Sequence, residues 1–192
     1  MHTEPLKQHI LRFIHLDSAQ LEVVLSHFTS FSFKKKEIIL NPGSICNYDY
    51  YITSGALHLS QINTHSGTEE VLSLAISDYW ITDLDSFRNR TPSNCTIQAG
   101  KDTEVLAISR EGFDKACKEI PQIERYFRLM TEKHLISWMK RVYMLNALSA
   151  EERLAYFIRS YPSLYEAFPR YLVASYLGMS AEMLSKLRSR KR

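Results

Sequence analysis

The stretch from Arg170 to Arg192 holds Arg170, Lys186, Arg188, Arg190, Lys191 and Arg192 against one acid, Glu182. It carries +5 in a chain whose formal net charge is +3, so the residues before it are slightly acidic overall. Cations gathered this closely attract phosphate oxygens, and local charge matters more for that than the pI of the whole chain. Glu182 can accept from a cytosine amino group, Lys186 can donate to guanine O6 or N7, and Ser185 can do either. The chemistry on offer is recognition of a nucleic-acid duplex.

Such side chains read base edges only if a rigid element holds them in a row. Leu172, Val173, Tyr176 and Leu177 recur at helical spacing, Gly178 interrupts, and Met183, Leu184 and Leu187 resume the period. The spacing predicts helix, turn, helix. Gly178 supplies the left-handed backbone of the turn, Met179 plugs the corner, Ser180 caps the second helix, and the small Ala174 allows close crossing. The second helix then presents Ala181, Glu182, Ser185, Lys186, Ser189 and Arg190 outward, with Arg170, Ser180 and Arg188 as flanking contacts. A short helical hairpin with a solvated basic tail is the plainer reading of the same residues. The coincidence of turn residue, apolar period and charge favours the DNA-binding one.

The chain has 192 residues, 45% apolar and 23% charged, which is ordinary for a globular protein with one large or two modest domains. No apolar run approaches the roughly 20 residues of a membrane span. The start, MHTEPLKQHILRFIHL, has no signal-peptide core or cleavage site, so a cytoplasmic location is expected. Cys46, Cys95 and Cys117 are far apart and odd in number, and read as reduced thiols. CxxC and HExxH patterns are missing, so local spacing gives no metal site; it does not test a ligand set assembled across the fold.

Residues Leu6 to Phe28 read as two helices, with Asp17 or Ser18 capping the second. From Phe31 to Ile108 the period drops to two, in short β-branched and aromatic runs separated by Asn41-Pro42-Gly43, Ser54-Gly55 and Asn63 to Gly67. That pattern predicts a β-roll or barrel-like sandwich. Pro121 opens a helix running to about Leu148, roughly 40 Å long and too long for so small a sheet to cover. Its stripe of Ile123, Phe127, Met130, Leu135, Trp138, Val142 and Leu145 predicts pairing with the same helix of a second chain. A hinge is expected between Asn146 and Ser149, after which Ser149 caps a further helix. The expected division is a sensor at 1–120 with N-terminal helices, a dimerisation helix at 121–148 and a DNA-binding domain at 149–192.

Taken in this order, the chain resembles the Crp/Fnr (catabolite activator-like) family of bacterial transcription regulators over nearly its whole length. The resemblance rests on Lys36-Glu37-Ile38-Ile39 with Pro42-Gly43, Tyr51-Ile52 with Gly55, Ala107-Ile108-Ser109, and Leu172 to Arg188. It implies an α+β chain: a cyclic-nucleotide-binding-like β-roll (jelly-roll), a long dimerisation helix and a C-terminal helix-turn-helix of winged-helix type. With Arg192 as the last residue, a truncated wing is expected. The implied partners are double-stranded DNA, a second copy of the chain, RNA polymerase and a small-molecule effector. Where the family's recognition helix usually has an arginine before its Glu, Ala181 stands here, so a different operator is expected.

Members of the family that bind a cyclic nucleotide carry Gly-Glu-Leu followed about ten residues on by Arg-Ser, a carboxylate for the ribose and a guanidinium for the phosphate. The matching positions here are Thr82-Asp83-Leu84 and Pro92-Ser93-Asn94. Thr82, Asp83, Leu84, Ser93 and Asn94 are therefore the expected effector pocket, with Asp83 as the carboxylate and no arginine at Ser93. Arg88 and Arg90 fall in the intervening loop. A buried phosphate without a bidentate cation is costly, so tight binding of cyclic AMP is not expected. Nor do these residues point to a cofactor, since the family's iron–sulfur subgroup needs clustered N-terminal cysteines and haem has no positive signal here. Two other readings stand beside this one: a small-molecule sensor or protein-interaction module that does not bind DNA, and an enzyme. No nucleophile elbow, Gly-rich phosphate loop or paired carboxylates support the latter.

Overall fold

A computed structural model describes residues 2–189. Two helices, α1 (Glu4–Leu11) and α2 (Ser18–Ser26), precede strands β1 (Phe28–Phe33), β2 (Ile38–Leu40), β3 (Tyr48–Ser54), β4 (Ala56–Ile62), β5 (Glu69–Ile76) and β6 (Trp80–Ile81). Helix α3 (Leu84–Asn89), β7 (Cys95–Ala99), β8 (Thr103–Ser109) and α4 (Arg110–Glu119) complete the first part. The long α5 (Gln122–Ala147) then leads to α6 (Ala150–Ser160), α7 (Pro162–Ala167), α8 (Arg170–Tyr176) and α9 (Ala181–Ser189). No helix among the described residues is long and apolar enough to cross a membrane.

The strands form two antiparallel four-stranded sheets, ordered β1-β8-β3-β6 and β2-β7-β4-β5. This is the expected β-roll. Its first sheet is buried on both faces, which explains the nearly unbroken apolar run from Val105 to Ile108. Tyr50, Ile52, Val105 and Ala107 point into the roll, while Tyr51, Leu106 and Ile108 point out against α1, α2, α4 and the start of α5. Gly55 makes the β3–β4 corner with φ +99°, and a Cβ there would lie 2.4 Å from Thr103 Oγ1. Asp17 caps α2 in a full capping box with Gln20. Phe28 is already strand, paired with Ile108, because its ring belongs to the outer core.

Helix α5 differs from expectation in how its stripe is used. Ile123 and Phe127 are buried within the protomer, and Met130 packs on the same core; Tyr126, which the stripe omitted, is fully buried with them. Trp80 Nε1–H donates to Tyr126 Oη at 2.9 Å, and Tyr126 Oη in turn faces His9 Nδ1 at 2.6 Å. Burial lowers the His9 pKa to about 4, so the ring is neutral, and its tautomer sets which of the two groups donates. The chain Trp80–Tyr126–His9 thus ties β6, α5 and α1 together. Leu145 packs partly against the C-terminal helices. The uncovered apolar face lies between, at Leu135, Ile136, Met139, Val142 and Tyr143, each more than 45% exposed, with Trp138 at its margin.

The C-terminal helices have their own core around Leu154, Phe157, Leu172, Val173, Leu177 and Leu184, and it includes Val71 and Leu74 from the outer face of β5. Ser175 Oγ–H donates to the Glu69 carbonyl at 2.9 Å and Ser175 Oγ accepts from Val71 N–H at 2.9 Å, so α8 occupies the free edge of β5.

Candidate nucleic-acid interface and effector pocket

Helix α8 ends at Gly178, whose φ of +64° carries the chain round a corner no β-branched residue would accept. A Cβ there would come within 2.9 Å of Leu145 Cδ2, so the turn is also fitted against the end of α5. Ser180 Oγ accepts from Met183 N–H at 3.1 Å and starts α9, and Met179 packs in the corner. Leu184 and Leu187 anchor α9 inward. Ala181, Glu182, Ser185, Lys186, Arg188 and Ser189 are exposed. Arg188 and Lys186 have no ion pair among the described residues.

Two of the expected contact residues stand apart from that row. Arg170 is engaged within the protomer: its Nη1 donates to the Tyr165 carbonyl and its guanidinium lies 3.8 Å from the Tyr165 ring centroid, so it braces the α7–α8 corner. Arg190 lies outside the described residues.

The expected effector residues are brought near one another, but the polar groups of Asp83 and Ser93 face each other. Asp83 Oδ2 accepts from Ser93 Oγ–H at 2.5 Å, while its other oxygen caps α3 through Ser86 N–H at 3.4 Å. Ser93 is buried and also accepts from Cys95 N–H at 2.9 Å. Thr82 Oγ1 donates to the Tyr48 carbonyl at 3.1 Å. Asn94 is exposed, and Leu84 is 45% exposed at the start of α3. The segment expected as a loop around Arg88 is helix α3. Arg90, at its left-handed C-terminus with φ +59°, is tied to the Cys46 carbonyl and Asn47.

A cavity of about 100 Å³ does lie between the roll, α3 and α5, and of the five expected residues Thr82 and Leu84 line it. Phe127, Met130 and Trp138 wall it from α5, and it falls well short of the roughly 300 Å³ at which drug-sized ligand sites begin. Sequence reasoning missed its two charged residues, Asp49 and Arg88. Asp49 Oδ1 is buried without a hydrogen-bond partner, and burial raises its pKa to about 7 against the pull of the Arg88 charge. Arg88 stacks 4.2 Å from the Phe113 ring centroid. The signal for Asp49 was available in the sequence: it is the one acid in the apolar strand Tyr48–Ser54. Among the described residues, no group of three His, Cys, Asp or Glu side chains is placed to hold a metal ion, and the three cysteines are buried and free.

Residues 30–119 match the family of cyclic nucleotide-binding domains. The chain is similar to the anaerobic regulatory protein of Haemophilus influenzae, at 25% identity over 170 residues covering 82% of this chain. It spans 64% of that relative's length. Among solved structures, FixK2 from Bradyrhizobium japonicum is similar with a TM-score of 0.74 and 21% identity, over 85% of this chain and 83% of that one. A crp/fnr-family transcriptional regulator from Eubacterium rectale is similar with a TM-score of 0.69 and 19% identity, over 91% and 83%. The β-roll, the long helix and the helix-turn-helix follow one another here as they do in these folds, so the chain has the fold of these regulators, with residues 30–119 as a cyclic nucleotide-binding domain.

Proposed function

We propose that this chain is a cytoplasmic, non-enzymatic transcription regulator that binds double-stranded DNA as a homodimer. One observation carries the reading. Along α9, Glu182, Ser185, Lys186 and Arg188 stand exposed on a helix held by a fixed turn, and a duplex groove is what fits a rigid row of exposed donors and acceptors. The apolar face at Leu135, Met139 and Val142 supports pairing through α5, which would supply the second reading helix that a twofold operator needs. In this reading residues 1–120 sense, 121–148 dimerise and 149–192 bind DNA, with RNA polymerase as a further partner. The regulator answers to something other than cyclic AMP: the Asp83 carboxylate is held by Ser93, and the cavity is too small for a nucleotide. A gel shift on a random-sequence duplex pool tests it. Binding should weaken steeply with salt, and Lys186→Ala with Arg188→Ala should lower affinity at least tenfold and reduce the salt slope by about two. No binding at low salt would refute the proposal.

A further inference from the structure

A second, larger cavity of about 390 Å³ opens beside the effector pocket, and its walls come from three parts of the molecule. Arg12 and Phe13 of α1, the Asp78–Trp80 segment and Lys133, Ser137 and Arg141 of α5 meet Tyr161 and Tyr176 of the C-terminal helices around it. Its size falls within the range of small-molecule sites. On α5, Ser137 and Arg141 lie about 160° around the helix from Met139, so a partner chain seated on the uncovered apolar face leaves this cavity free.

Its charges are unbalanced. Arg12 is matched by Asp78, whose oxygens lie 2.5 and 2.7 Å from Nη2, and Asp78 also accepts from Tyr51 at 2.7 Å. Two cations are left without a carboxylate. Lys133 Nζ sits 4.1 Å from the Phe13 ring centroid and forms no ion pair among the described residues. Arg141 donates only to main-chain carbonyls, those of Val71, Leu72 and Tyr176, at 2.8–3.2 Å, and stacks 4.3 Å from the Tyr176 ring centroid. Burial lowers the Arg141 pKa, offset in part by Tyr176 and then by Glu70. A partly buried guanidinium held by neutral oxygens keeps its full charge to offer to an anion. Aromatic rings line it beside Leu72, Leu74, Met130 and Leu164: Phe13, Tyr79, Trp80, Trp138, Tyr161 and Tyr176.

We infer that this cavity binds a small aromatic anion, a flat ring bearing a carboxylate or phosphoryl group, with Lys133 and Arg141 as its cationic contacts. Because the walls belong to the roll, α5 and the C-terminal helices, such a ligand binds only while these are docked together, and so stabilises that arrangement by mass action. The site does not rest on the DNA-binding proposal.

The chain has two tryptophans, Trp80 and Trp138, and both line the cavity, so their emission reports on occupancy. The full chain is titrated with salicylate and with phenyl phosphate, and with uncharged salicylamide and cationic benzylamine as controls. Saturable quenching by one or both anions, at least tenfold weaker with either control, is the expected result. Whichever anion binds tighter identifies the head group. Lys133→Gln, at an exposed position, should weaken binding about tenfold and Ser137→Tyr should block it, with thermal melting unchanged. Asp49→Asn, which touches only the neighbouring pocket, should leave it intact. Three results overturn the inference: no saturable binding by either anion up to about 10 mM, equal binding of salicylamide, or sensitivity to Asp49→Asn without sensitivity to Lys133→Gln.

Discussion

In the candidate effector pocket Thr82 is bonded to the Tyr48 carbonyl and Asp83 to Ser93, whereas along α9 Glu182, Ser185, Lys186 and Arg188 face solvent. Both regions match stretches for which the resemblance to Crp/Fnr regulators implies recognition, yet they have opposite status. A ligand entering the pocket must displace bonds already made inside the protein, at a cost it recovers only by making better ones. A duplex meeting α9 displaces only water and counterions. The polar groups of α9 are thus open to an outside partner, while Asp83 and Ser93 use theirs inside the fold. One group breaks the pattern within the pocket: Asp49, whose Oδ1 has no partner.

The contrast can be broken most forcefully through dimerisation. Met139→Glu places a charge at the centre of the uncovered face of α5. Sedimentation should then show a monomer, and DNA affinity should fall on the order of a hundredfold because two tethered reading helices become one. A wild-type chain that sediments as a monomer at micromolar concentration removes this half of the comparison.

Next in size is the corner that positions α9. Gly178→Val combines a φ of +64° with a clash against Leu145, and should destabilise the C-terminal helices by about 3 kcal/mol. Thermal unfolding would register this as a large drop in Tm, and DNA binding would weaken with it.

Asp49 sharpens the pocket side. Its pKa is about 7 in the folded chain and 3.8 when free, so the folded chain keeps this proton to higher pH than the unfolded one. Stability from this group is therefore present in full below about pH 4 and is lost as pH rises toward and through 7. Asp49→Asn should flatten that dependence and make the protein more stable than wild type at pH 8. Denaturant unfolding of both proteins from pH 4.5 to 8 measures it. Superimposable pH profiles would mean that Asp49 has found a partner.

The smallest effect is expected where family resemblance suggests the largest. Ser93→Arg restores the arginine of the phosphate cassette, but Asp83 lies 2.5 Å from the present hydroxyl and should capture the new guanidinium as an ion pair. Calorimetry should show no micromolar binding of cyclic AMP to either protein. Micromolar binding to the variant alone would show that the cradle is still functional and lacks only its cation.

The fold was largely legible because its determinants are local. Alternating Tyr50, Tyr51 and Ile52, the capping box at Asp17, the turn at Gly178 and the basic cluster after it all act within a few residues of themselves. The pocket was legible only in part. Thr82, Asp83 and Ser93 could be matched to a motif by spacing, but the direction in which Asp83 points depends on Ser93 across a helix, and Arg88 was expected in a loop before α3 formed.

What the sequence determined by itself was the order of elements and the chemistry available on α9, since helical and strand periods are fixed by backbone geometry. Tertiary structure decided which apolar residues of α5 turn inward. Ile123, Tyr126 and Phe127 meet the outer face of the roll, while Met139 and Tyr143 extend past the roll and stay largely exposed. It also decided that the edge of β5, the carbonyl of Tyr176 and the guanidinium of Arg141 meet at one point. These groups are far apart in the chain, and no local period encodes which of them will be neighbours once the sheets and helices have packed.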